Sequence, residues 1–169
     1  MARWYSKLYA TGSANDADLM VALDAADFYE EKHKEARVEF NIEGRVERMA
    51  AKIPGITEYW YGQLQDLESI LDYLEQREKR ALIRKQEDIM NHYQRVLTHT
   101  QARDYADASD EVKVIRDVRT RVAYVRNLFL GIMKGLECMH FQISNVTKLR
   151  CAGLEDAVID MRTDGRHYN

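Results

Sequence analysis

The chain has 169 residues, with 25 Lys and Arg against 28 Asp and Glu and a formal net charge of −3. That length fits one domain, or one domain with a small appendage, and suffices to bury a core without disulfide or metal staples. The charge excludes a globally basic nucleic-acid binder while leaving room for a local basic patch. One proline and eight glycines leave few breakers, so the composition favours helix.

Along the chain, MARWYSKLYATGSANDAD carries no continuous apolar run, so no secretory leader is expected. No run of about 18 apolar residues predicts a membrane span. Residues 1–16 read as loosely structured, with Gly12, Ser13, Asn15 and Asp16 as turn and cap types. Asp16 or Asp18 is expected to cap a first helix to about Phe40, with Leu19, Met20, Leu23, Phe28 and Val38 apolar. Asn41 and Gly44 mark a break, which sets an N-terminal helical extension (1–45) apart from a main helical domain (46–169). A short helix, Val46 to Lys52, is predicted to stop before Pro54-Gly55, because the residue before a proline is pushed out of the helical region. Thr57 then caps a helix to about Thr98, whose seam of Trp60, Leu64, Leu67, Leu71 and Leu74 lapses across the charged Glu75–Arg80 stretch. Thr98–Asp110 reads as a polar connector, with Ser109 as the N-cap of the last helix.

The last helix has the most regular pattern. Ile115, Val118, Val122, Val125, Phe129, Ile132, Leu136, Met139, Ile143 and Val146 alternate steps of three and four, the repeat of a helix packed lengthwise on another. Gly131 and Gly135 interrupt it and suggest a bend or a close crossing, and Gly153 is a natural C-terminal cap. Thirty-two helical residues span about 48 Å, against a diameter near ~40 Å for a compact globule of this size. The sequence therefore predicts an all-α fold of long antiparallel helices in a hairpin or bundle, with the C-terminal helix mediating homo-oligomerisation. The expected seam is Val118, Val122, Val125, Phe129, Ile132, Leu136, Met139 and Ile143. The same stripe also fits a purely intramolecular hairpin with the 57–98 helix.

Two basic clusters stand out. REKRALIRK (Arg77–Lys85) holds five positive charges and one negative, with Arg77, Arg80 and Arg84 at helical spacing. Lys113–Arg126 holds Lys113, Arg116, Arg119, Arg121 and Arg126 opposed by Asp117 alone. Guanidinium forks match phosphate oxygens, which makes Arg77, Lys79, Arg80, Arg84, Lys85, Arg116 and Arg119 candidate nucleic-acid contacts. Tyr59, Tyr61, Tyr73 and Tyr124 are candidate stacking rings, whereas Trp60 falls on the apolar seam. A solvated helix face with intrahelical ion pairs is the competing reading of the same residues.

Other chemistry is sparse. Glu30-x-x-His33 and Glu137-x-x-His140 match the di-iron helix spacing, but inward glutamates on the middle helices are missing, and Glu137 and His140 lie beside the stripe. Cys138 and Cys151 fit no metal or redox spacing and read as reduced thiols of a cytosolic protein. No phosphate loop or nucleophile–base constellation occurs, so no catalytic residue, metal or cofactor is expected.

Four stretches carry a resemblance to a known family: VERMAAKIPGITEYW (Val46–Trp60), EQREKRALIRKQEDIMNHYQ (Glu75–Gln94), DYADASDEVKVI (Asp104–Ile115) and FQISNVTKLRCAG (Phe141–Gly153). In this order they resemble the UvsY family, recombination mediator proteins of large tailed phages, over about two thirds of the chain. The resemblance implies a non-enzymatic, ring-forming protein that binds single-stranded DNA. Such proteins help to load a RecA-type recombinase onto strands covered by single-strand-binding protein, in the cytoplasm of an infected bacterial host. It also implies that the basic segment after Ala81-Leu82 contacts DNA. Lys85 matches the family's basic position and Arg84 substitutes for its neighbour, but Ile83 stands where the family has lysine. The family's C-terminal helix is tied to oligomer formation.

Overall fold

Residues 4–12, 16–39, 46–93 and 96–153 are described by the computed structural model. Among them the chain forms five α-helices and no strand: α1 (Trp4–Thr11), α2 (Ala17–Glu39), α3 (Val46–His92), α4 (His99–Asp107) and α5 (Asp110–Cys151). The all-α expectation holds. No helix among the described residues is long and apolar enough to cross a membrane. The turn residues Ser13 and Asn15, the break at Asn41 and Gly44, the Val38 side chain and the tail beyond Gly153 lie outside the described residues.

Packing divides the chain into two interleaved units, one of Met1–Phe28 with Gln65–Arg126, the other of Tyr29–Leu64 with Asn127–Asn169. These divisions fall inside α2, α3 and α5. In the first unit Leu67, Ile70 and Leu74 of α3 and Val112, Ile115, Val118, Val122 and Val125 of α5 are buried. On α2, Ala22, Ala25 and Ala26 are wholly buried, and their small side chains let helices approach closely. In the second unit Trp60 lies 5.8 Å from Phe129, and Tyr29 meets Phe129 edge-on at the same distance. Val46, Met49 and Ile53 pack with Met139 and Ile143, with Val146 at the edge. Arg84 faces Glu111 and Glu78 faces Arg116 in the first unit. Trp60 faces Phe129 and Met49 faces Met139 and Ile143 in the second, so α3 and α5 are antiparallel in each.

Every residue from Val118 to Ile143 in the expected oligomer seam is buried by the chain itself, Val122, Val125 and Phe129 completely. Packing within the chain accounts for all eight side chains, as in the hairpin alternative that the sequence left open. α3, at 47 residues, is longer than the 42-residue α5 and lines the same cores.

Local structure departs from expectation at four places. α3 runs through Pro54 without a break. A proline in a helix interior costs about 3 kcal/mol, yet Pro54 is exposed while Val46, Met49, Ile53 and Trp60 share one buried face, and packing on both sides of Pro54 holds the helix. α1 forms where loose structure was expected, anchored by wholly buried Leu8. The expected polar connector contains α4, opened by a capping box. The Gln101 N–H donates to Thr98 Oγ1 at 3.3 Å, and the Thr98 N–H donates to Gln101 Oε1 at 3.1 Å. Open space surrounds the missing Cβ of Gly131, so no helix crosses closely there. Gly153 does end α5 as expected, with φ +85° and its N–H donating to the Arg150 carbonyl at 3.0 Å. Ser109 precedes α5, but its hydroxyl donates backwards to the Ala106 carbonyl at 2.6 Å.

Candidate nucleic-acid interface

The charged interruption of the α3 seam holds the buried ion pairs of the first unit. Leu74 is followed on the buried face by Arg77, Glu78 and Ala81. A guanidinium and a carboxylate at core positions need partners, because unpaired burial of charge is prohibitive. Arg77 finds them at the start of α2: its Nε donates to Asp18 Oδ2 at 3.1 Å and its Nη2 to Asp16 Oδ1 at 3.0 Å. Asp18 is wholly buried and also accepts the Tyr73 hydroxyl at 2.9 Å. Burial, then that hydrogen bond, pushes the Tyr73 phenol up to about 12. Asp16 takes a left-handed φ of 55°, tolerable for aspartate. Asp18 therefore serves chiefly as a buried anchor for α3.

Glu78 forms the second knot. Its Oε1 accepts from Arg116 Nε at 3.0 Å, and Arg119 Nη1 stands 3.0 Å from its Oε2 as an ionic contact without hydrogen-bond alignment. Arg116 reaches on to Asp107 at 2.6 Å. That hydrogen bond, then the one from Glu78, raises the Arg116 pKa, and the same Arg116 bond holds the Asp107 carboxyl below its usual range. Arg77 is thus buried, and Arg116 and Arg119 are half-buried with their guanidinium groups committed to Glu78. These three positions of the expected cluster thus hold carboxylates within the fold.

The other four candidates remain on the surface of the first unit. Lys79 pairs with Glu75 at 2.7 Å, and Lys85 with Asp88 at 3.4 Å. Arg84 is 3.9 Å from Glu111, with two thirds of its side chain exposed. Arg80 bonds the Gln76 carbonyl at 3.2 Å and the Gln76 side chain at 3.5 Å, and has no carboxylate partner among the described residues. Arg80 and Arg84, one turn apart on α3, are the least neutralised pair of the expected cluster.

The rings divide in the same way. Trp60 and Tyr73 are core, while Tyr59, Tyr61 and Tyr124 are exposed, with Arg121 5.9 Å above the Tyr124 ring. The sequence reading missed Arg103, exposed on α4 one turn before Asp107, whose carboxyl its charge helps to hold down. Thr98 and Gln101, three apart, were the cue to the helix that places it. As for the Glu-x-x-His pairs, Glu137 is exposed and bound to Lys134 at 3.3 Å, and His33 lies against Phe129 at 6.3 Å between ring centres. No group of three His, Cys, Asp or Glu is placed to hold a metal among the described residues. Cys138 and Cys151 are exposed free thiols.

No protein-family model matches this chain, and no curated protein or solved structure matches it either.

Proposed function

We propose that this protein is a single-stranded-DNA-binding recombination mediator, helping a RecA-type recombinase onto strands covered by single-strand-binding protein. The observation that carries the reading is Arg80 with Arg84. Both are exposed, Arg80 has no carboxylate partner among the described residues, and both lie in the Glu75–Gln94 stretch that resembles the UvsY family. A solvent-facing guanidinium pair one turn apart suits two phosphates of a flexible strand. Few such contacts per chain bind weakly, so the reading includes several copies acting together to raise effective concentration. The chain buries its own α5 stripe, so the reading assigns the contacts between copies to another surface.

The test is oligonucleotide binding by fluorescence anisotropy at low salt. The double change Arg80→Glu with Arg84→Glu is expected to weaken binding while the helical circular dichroism stays unchanged. Log affinity of the parent should fall with log salt by about 0.7 per phosphate engaged. Unchanged affinity in the double variant would refute the assignment. A second reading, a helical scaffolding protein without nucleic-acid binding, is favoured by the commitment of Arg77, Arg116 and Arg119 to internal carboxylates. It expects no salt-sensitive binding to a single strand.

A further inference from the structure

We propose that the groove between α3 and α4 in the first unit seats one nucleotide of the bound strand, an inference that rests on the DNA-binding reading. The groove is open, about 490 Å³ in volume, and lies beside Arg80 and Arg84 in sequence. Its α3 wall presents Lys79, Ile83 and Gln86, and its α4 wall His99, Thr100 and Arg103. Ile83, 55 % exposed, and the adjacent Leu82 give the groove an apolar floor, with Lys79 and Arg103 as the cations at its rim. A base offers a flat apolar face to such a floor, and its phosphate falls to the rim cations. Arg103 is the stronger of these, because Lys79 is already held by Glu75 at 2.7 Å, which also draws the Glu75 carboxyl down.

The walls are tied together without a ligand. Gln86 Nε2 donates to the His99 carbonyl at 3.4 Å, and the Thr98–Gln101 capping box fixes the first turn of α4. A preformed groove costs little ordering on binding. The first-turn amides of His99 and Thr100 have no carbonyl partner within α4, and they add partial positive charge at the same end. Gln86 and Thr100 supply polar side chains for base edges without selecting one base, which suits a sequence-tolerant binder. The isoleucine that departs from the resembled family's lysine thus acquires a role as the base floor.

The test compares a labelled thymidine oligonucleotide with an abasic strand of equal length and charge. Parent, Ile83→Ser, Arg103→Gln and, as a control in the second unit, Lys148→Gln are measured across a salt series. The parent is expected to prefer the base-bearing strand several-fold, and Ile83→Ser to abolish that preference. Arg103→Gln should reduce the salt slope by about 0.7, with Lys148→Gln unchanged. Equal binding of both strands by the parent, or a parental slope in Arg103→Gln, overturns the groove assignment while leaving DNA binding intact. Failure of the parent to bind either strand overturns the DNA-binding reading and this inference with it. All three substituted side chains are solvent-facing, and thermal melts check that the variants fold.

Discussion

Asp18 has three partners and no solvent: the Tyr73 hydroxyl, the Arg77 guanidinium and the Leu19 amide. Asp18→Ala leaves Arg77 buried without its inner partner, and urea melts should show a loss of about 3–5 kcal/mol. Replacing both groups, Asp18→Leu with Arg77→Met, is expected to recover most of that loss, because no charge then remains to be desolvated. Tyr73 supplies a pH dependence. Its phenol is raised above its ordinary value to about 12 in the folded chain, while in the unfolded chain it ionises near ~10. Its contribution is therefore fully present below pH ~10 and is lost as pH rises toward ~12. Urea midpoints measured through that window should fall more steeply for the parent than for Tyr73→Phe.

At the scale of elements, two positions in the long helices work against them. Pro54 removes one helical donor from the solvent side of α3, and Gly131 adds backbone freedom to α5 where nothing would meet a Cβ. Gly131→Ala is expected to stabilise by up to about 1 kcal/mol, read from the denaturation midpoint. Pro54→Ala should stabilise as well, since α3 already follows a helical path through that point. α4 depends on its first turn in the opposite sense. Thr98→Ala removes the capping box and should cost about 1 kcal/mol, with hydrogen exchange quickening first in residues 99–103.

At the scale of the molecule, α3 and α5 line the cores of both units, and the α5 stripe lies in both. Val125→Asp and Phe129→Asp place a carboxylate among wholly buried apolar side chains, one in each unit. Both should unfold the protein rather than separate a folded assembly. Light scattering with circular dichroism decides this, because a folded variant of lower mass would return the stripe to the role of an interface between copies. The surface left for partners includes Arg80 and Arg103 and the largely exposed Arg84 on the first unit, and exposed Leu130, Phe141 and Leu149 on α5 of the second.

By itself the sequence determined the helical class, the antiparallel pairing of long helices and the buried face of α5. Ile115 to Val146 is periodic enough that only one face can leave water, and the Trp60–Leu74 seam has the same property. It also held the Gly153 cap, whose positive φ favours that residue type. Only the tertiary structure decided which charges are free. Arg77 and Arg80 are three residues apart and chemically identical, yet Asp16 and Asp18, about sixty positions earlier, cover one and leave the other to solvent. Likewise a stripe fit for a second copy and a stripe fit for α3 read the same in one dimension. Periodicity reports that a face must be buried; which surface covers it is settled by contacts far apart in the chain.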